Sequence, residues 1–263
     1  MLFNLRYILD DIKKHLDKNI PFSIVRVGDG DLKLLDELVR GRVNKQKFKR
    51  SGIPFKRIGW VLNLYKEACN SADYTSSFEM YYTDKFWGRK FSRGTKMKVQ
   101  AWKELYEKVG IINQNFCNPE VGYLMFLNEP NNLLDLIKGK KVCLITCFPK
   151  AARILKKNGV SKAKVIRIPP INRGHFDEYS RITDQIKSSI EEFDLFLVGA
   201  GALGKGYSTT IKNNGGISID IGQVMNTWAG RPIAGRFKHV LETGKRNGSF
   251  ELKPNVQRFR EFL

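Results

Sequence analysis

The chain has 263 residues, 42% hydrophobic and 27% charged, long enough to bury a full core and too apolar for a disordered polymer. Lysine and arginine number 46 against 26 aspartates and glutamates, and this formal net charge of +20 points to an anionic partner without bearing on the fold. No apolar run is long enough to cross a bilayer, and the stretch Met1 to Ile20 lacks the continuous apolar core of a signal peptide, so a cytoplasmic protein is expected.

Leu5, Ile8, Leu9, Ile12 and Leu16, set among charged residues, predict an amphipathic surface helix. Phe22 to Val27 reads as a buried strand, Gly28-Asp29-Gly30 as a tight turn, and Leu32, Leu35, Leu38 and Val39 as one face of a helix. A polar stretch from Arg40 to about Arg57 precedes helices through Trp60 to Cys69 and Lys96 to Val109, with poorly patterned sequence between them. After Asn131, β-branched runs at Lys141 to Phe148, Lys164 to Ile168, Asp194 to Val198 and Ile217 to Ile221 alternate with helical patterns. The helices are expected at Lys150 to Asn158, Asp177 to Glu192 and Leu203 to Asn213. This alternation predicts a single α/β domain over residues 1–263, with a basic, partly helical insertion at about 40–130. Its core is a Rossmann-like, mainly parallel sheet with helices on both faces. Ligands in such sheets bind beyond the carboxyl ends of the strands, where the Gly-rich turns at Gly28 and Gly199 both fall. Cys69, Cys117, Cys143 and Cys147 show no zinc spacing, and with only His15, His175 and His239 beside them, reduced, packed thiols are expected.

Asp29 and Asp31 flank Gly30 directly after a strand, so the turn can project two carboxylates toward one point. Such oxygens suit Mg²⁺ or Mn²⁺ shared with substrate phosphates, and the cation would neutralise a departing diphosphate. Arg26, Gly28 and Gly30 are then candidate phosphate contacts, with a structural ion pair the alternative for Arg26. A plainer reading makes Asp31 an N-cap and Gly-Asp-Gly an ordinary turn.

Gly199, Gly201 and Gly204 form Gly-x-Gly-x-x-Gly between a strand and a helix, with Asp220 near the end of the next strand, which is the dinucleotide fingerprint in outline. Amides at Gly199 and Gly201 would receive a diphosphate and Lys205 would add charge. An NAD-type Rossmann enzyme is therefore the rival class, ranked second because only about forty residues follow Asp220. Close helix-to-sheet packing explains the same glycines without any ligand.

The segment Ser23 to Asp31 resembles the signature strand and turn of the GT-D-type glycosyltransferases, first catalogued as a domain of unknown function. Asp194 to Lys205, followed by Ile217-Ser-Ile-Asp-Ile-Gly222, resembles that family's C-terminal strand, glycine loop, helix and strand. The resemblance covers about a third of the chain and does not extend over Lys33 to Pro130. It implies transfer of a sugar from a UDP-sugar donor, with a divalent metal, to an acceptor hydroxyl. Asp29 matches the first acid of the family's Asp-x-Glu motif, and Asp31 stands where Glu is expected, its shorter side chain drawing the carboxylate back. The resemblance thus makes Asp29 and Asp31 the catalytic and metal-holding pair, with the Gly199 loop and Asp220 lining the same cleft.

No acid occurs between Glu37 and Glu67, where Arg40, Arg42, Lys45, Lys47, Lys49, Arg50, Lys56 and Arg57 crowd together. After Asp84 come Lys85, Arg89, Lys90, Arg93, Lys96 and Lys98, interleaved with Phe86, Trp87 and Phe91. These stretches suit an anionic acceptor: a cell-envelope polymer, a membrane surface, or a modified base in DNA or another nucleic acid, exposed or flipped. A solvated basic face is the plain alternative, and a non-catalytic nucleic-acid-binding protein is the third class. Glu120, and Asp177 and Glu178 beside His175, are candidates for a general base.

Overall fold

The computed structural model describes residues 3–41, 53–76, 93–127, 132–170 and 173–230. Arg42 to Arg50 and Lys85 to Phe91, the bulk of the two basic stretches, lie outside the described residues.

Helix α1 (Leu5–Lys18) opens where the Asn4 side chain accepts a hydrogen bond from the Tyr7 amide and ends at Asn19, which has a left-handed φ of 50°. Its stripe of Ile8, Leu9, Ile12 and Leu16 is buried, as the amphipathic pattern predicts. Then come β1 (Phe22–Val25), α2 (Asp29–Val39), α3 (Ile58–Ser71) and β2 (Tyr74–Ser76). The middle of the chain supplies α4 (Arg93–Val109), β3 (Phe116–Cys117), α5 (Val121–Leu127) and α6 (Leu133–Leu136). The second half alternates through β4 (Lys141–Thr146), α7 (Ala152–Lys157), β5 (Lys162–Arg167) and α8 (Tyr179–Lys187). It finishes with β6 (Leu195–Gly199), α9 (Gly204–Asn213), β7 (Ile217–Asp220) and α10 (Val224–Trp228).

All seven strands are parallel, in the order β3-β2-β1-β7-β6-β4-β5. Successive strand residues face opposite layers. Phe22, Ile24, Leu144, Leu197 and Ile219 enter a core shared with α1, α5, α6, α7 and α10. Val25, Ile145, Phe196 and Val198 enter the cores shared with α2, α3, α4, α8 and α9. Helices therefore cover both faces, as fully buried parallel strands require. The register Phe22↔Ile217 and Ile24↔Ile219 sets the first strand beside the last, so motif segments from opposite ends of the chain finish side by side.

Gly28-Asp29-Gly30 is not the free turn that its composition suggests: α2 begins at Asp29, which places both acids in the first turn of a helix. The helix expected from Asp177 to Glu192 is confined to Tyr179–Lys187, with a separate 3-10 turn at Ile190–Glu192 after Ser188 and Ser189, residues whose side chains compete for backbone partners. β2 and β3 carry three and two residues, too few to show an alternating pattern. Cys69, Cys117 and Cys143 are buried free thiols, pushed by burial up to about 12, and Cys147 is a partly buried free thiol. Among the described residues no helix is long and apolar enough to cross a membrane.

α9 lies close over β1 and β7 because the residues between them are small. Ser23 and Ser218 on the strands and Ser208 on the helix are buried there, and Ser218 Oγ donates to the Ser208 carbonyl at 3.4 Å. On another side of α9, a Cβ at Gly206 would lie 2.0 Å from Tyr179 Oη and 2.5 Å from Leu64 Cδ1. Gly206→Ala is therefore expected to lower the unfolding free energy by about 1–3 kcal/mol, as overpacking does, and to reduce the urea midpoint at an unchanged slope.

Candidate active site

β1, β6 and β7 end at one edge of the sheet, and the residues that follow them meet there. Lys205, in the first turn of α9, donates from Nζ to Asp220 Oδ2 at 2.8 Å and stands 3.5 Å from Asp31 Oδ2. The Lys205 and Asp220 side chains are 4% and 5% exposed, and that of Asp31 is 18% exposed. Burial opposes the charge of Lys205, but Asp220 and then Asp31 outweigh it, and the pKa is raised.

Asp31 is the third residue of α2. Its Oδ2 accepts a hydrogen bond from the Gly28 amide at 2.8 Å, one arm of a capping box, and its Oδ1 accepts from the Tyr65 hydroxyl. Tyr65 projects from α3 and is fully buried; burial, and then the charge of Asp31, hold its pKa well above the ordinary phenol range.

Arg26, just beyond β1, donates from Nε to the Pro119 carbonyl at 2.7 Å. Burial opposes its charge, yet Glu120, Asp220, Tyr123 and Asp31 together outweigh that and raise its pKa. Glu120, buried at the head of α5, is thereby part of the same electrostatic cluster. Asp220 Oδ1 accepts from the Gly222 amide at 3.0 Å. Gly222 has φ 51°, and a Cβ there would lie 2.1 Å from Arg26 Nη1. The Asp-Ile-Gly sequence is thus explained physically: the acid anchors the turn and the glycine leaves room for a guanidinium.

Arg26, Gly28, Asp31, Lys205 and Asp220, all singled out from the sequence, come together here, and Asp29 opens α2 beside them. Gly199 and Gly201 border the same sheet edge. A Cβ at Gly199 would meet Met225 Cγ at 2.3 Å, Gly201 has φ 58°, and a Cβ at Gly204 would lie 3.1 Å from Val198 Cγ1. At Gly30 a Cβ would meet nothing within 4 Å. Asp31 departs from the expectation of a carboxylate held out beyond the sheet, being drawn back by an amide, a hydroxyl and an ammonium. Tyr65 carries no sequence signal, since a tyrosine on the apolar face of a helix reads as core. His175, Asp177 and Glu178 form no such constellation. His175 is buried with Nε2 3.0 Å from Tyr207 Oη, Glu178 pairs with Arg181, and Asp177 is exposed.

A carboxylate offers about four lone-pair positions; two of Asp31's accept hydrogen bonds, and Lys205 stands at ion-pair distance, 3.5 Å, from Oδ2. Among the described residues no three His, Cys, Asp or Glu side chains group as a cation site. Arg26 and Lys205 stand against Asp31, Glu120 and Asp220, which leaves one net negative formal charge on the cluster.

A parallel sheet with a charged cluster at the carboxyl ends of its central strands is the architecture of α/β proteins that bind ligands at that edge. A family model described as a GT-D fold-like domain matches residues 3–228, and the chain belongs to this GT-D-like family. Solved structures share the fold. One, of the domain of unknown function 1792 with its "distinct glycosyltransferase fold", is 14% identical, with a TM-score of 0.57 over 86% of this chain and 79% of that one. Another, described as a new glycosyltransferase from Streptococcus sanguinis, is 16% identical, with a TM-score of 0.54 over 86% of this chain and 82% of its own. No curated protein sequence matches the chain.

Gly222→Ala is expected to lose about 1–2 kcal/mol to left-handed strain and to turn Arg26 away from the Pro119 carbonyl, to be read by thermal unfolding and a crystal structure of the variant. His175 supplies a pH test, because burial holds it down at about 4 while the unfolded chain titrates near 6.5. The unfolded state binds the extra proton in that window, so this contribution is complete above pH about 6.5. It falls away by about 3 kcal/mol as pH drops to about 4. Urea unfolding of wild type and His175→Gln between pH 7 and 4 should show that loss only in the wild type.

Proposed function

We propose that the chain transfers a sugar from a nucleotide-sugar donor, a UDP-sugar, to a hydroxyl of an anionic acceptor in the cytoplasm. The observation that carries this reading is the convergence of Arg26, Asp31, Lys205 and Asp220 at the carboxyl ends of β1 and β7 in a chain of the GT-D-like family. In open parallel sheets that edge is where phosphates of nucleotide ligands lie.

Lys205 and Arg26 face the donor diphosphate, and the exposed backbone at Gly201, ahead of the first turn of α9, offers amides to its oxygens. The donor set also suits a divalent cation: the acids are hard oxygen ligands, and a cluster with a net negative charge does not accept a diphosphate without added positive charge. Asp29 would hold Mg²⁺ or Mn²⁺ jointly with the donor's own oxygens, since such ions are commonly bound through one or two carboxylates plus phosphates. Once bound, the ion supplies Lewis-acid neutralisation of the departing nucleoside diphosphate. Buried Val25, Val27 and Tyr65 keep water from the base of the cluster, which strengthens every charge interaction within it.

The net charge of +20 supports an anionic acceptor, either a phosphate-bearing envelope polymer or a modified base in DNA. Incubation with a panel of UDP-sugars, MnCl₂ and each acceptor, following UDP release and labelled product, tests the reading. Release of UDP with one sugar and one acceptor is expected, and Asp29→Ala should lower it by about 100-fold or more while leaving the thermal midpoint close to wild type. Undiminished turnover by Asp29→Ala removes the assigned role of Asp29, and the absence of turnover with every donor removes the function.

A further inference from the structure

Lys205 is the most deeply placed cation at the site, and how it is aimed follows from its neighbours. An ammonium has three N–H groups. One donates to Asp220 at 2.8 Å, and the contact with Asp31 is longer, at 3.5 Å. The longer contact lies on the more open side, because the Asp31 side chain is 18% exposed against 5% for Asp220. Asp31 is itself fixed from two other directions, by the Gly28 amide and by the Tyr65 hydroxyl. A divalent cation on Asp31 would have to settle near the Lys205 ammonium, itself 3.5 Å from Oδ2, like charge against like charge, with both carboxylate oxygens already accepting a hydrogen bond.

We propose that Asp31 is a positioning residue for Lys205 and not a cation ligand: locked by Tyr65 and the Gly28 amide, it draws the ammonium toward the open side of the cluster, and the donor diphosphate then takes over that contact. Asp220 alone would let the lysine fold onto a single buried carboxylate. The second acid holds it between the two, ready to exchange its weaker partner for a phosphate oxygen without losing the stronger one. Tyr65 belongs to the same device, because its hydroxyl fixes the carboxylate that does the aiming. This assignment rests on the UDP-sugar reading of the site.

The test measures UDP affinity by calorimetry and the Mn²⁺ binding midpoint in the presence of UDP by electron paramagnetic resonance. The proteins are wild type, Asp31→Asn, Tyr65→Phe, Lys205→Gln and the Asp31→Asn/Lys205→Gln double variant. Asn retains an acceptor for the Gly28 amide, so the cap of α2 survives the first change. UDP affinity is expected to fall about tenfold in Asp31→Asn and by a smaller factor in Tyr65→Phe, with the Mn²⁺ midpoint within about twofold of wild type in both. In the Lys205→Gln background, Asp31→Asn should bring no further loss, because the two residues act as one unit.

A Mn²⁺ midpoint weakened about tenfold or more in Asp31→Asn, with independent losses in the double variant, makes Asp31 a ligand and overturns the proposal. Lys205→Gln leaves the buried Asp220 and the partly buried Asp31 short of their cation and can fail to fold. Tyr65→Phe then decides: weaker UDP binding at an unchanged Mn²⁺ midpoint upholds the assignment, and unaltered UDP binding overturns it. Wild type that binds no UDP at any Mn²⁺ concentration overturns the donor reading itself. UDP bound equally by wild type and Asp31→Asn overturns only the role given to Asp31.

Discussion

The ammonium of Lys205, held between the carboxylates of Asp220 and Asp31, joins the start of α9, the end of β7 and the start of α2 at one point. Removing a charge from water is strongly unfavourable, and it is tolerated inside a protein only where opposite charges and hydrogen bonds are already in place. Here β7 supplies one partner, α2 the other, and α3 the hydroxyl that holds the second in position. Each element end at this edge is thereby fixed by a group that cannot relax without leaving a charge unpaired. Charged groups held in fixed positions in this way act on a ligand without first having to reorganise.

The approach of Lys205 depends in turn on how α9 meets the sheet. Ser23, Ser218 and Ser208 keep the layer between helix and strands thin, and Gly206 allows Tyr179 and Leu64 to close over the other side. The topology does the rest. From β1 the chain steps outward through β2 to β3, while β4, β5 and β6 lie on the other side of β7. The first and last strands thus end side by side at the carboxyl edge of the sheet, the edge at which ligands of such sheets bind, and the charged cluster stands there.

The second half of the fold is legible from residue pattern because β4 and β6 are buried on both sides and read as continuous apolar runs, while β7 shows as a short run with isoleucine at Ile217, Ile219 and Ile221. β2 and β3 are not legible: three and two residues gain their strand character from pairing with β1 and with each other, which no local propensity reports. The start of α2 is misleading for a related reason. Gly-Asp-Gly is turn-like in composition, yet Asp31 reaching back to the Gly28 amide converts it into a helix start. In the site, Arg26, Asp31, Lys205 and Asp220 are visible because they lie in motifs. Glu120 is visible only as an isolated acid, and Tyr65 not at all, because what gives them a role is the long-range packing of α5 and α3 against the ends of β1 and β7.

The glycine pattern after β6 shows how far a motif can carry an assignment. Its three glycines meet three demands that any strand-to-helix turn of this shape imposes. Gly199 admits Met225, Gly201 takes a positive φ, and Gly204 lets the helix close on Val198. A dinucleotide site imposes the same demands, so the pattern alone describes a backbone path and not a ligand. The acid that follows separates the two cases. In a nicotinamide site it must keep its oxygens available for ribose hydroxyls, whereas Asp220 has Oδ2 committed to Lys205 and Oδ1 to the Gly222 amide. Both oxygens are engaged in holding the cluster together, one on the Lys205 ammonium and one on the turn that Gly222 makes. The same backbone path thus serves a different chemistry, set by the side chains at its end.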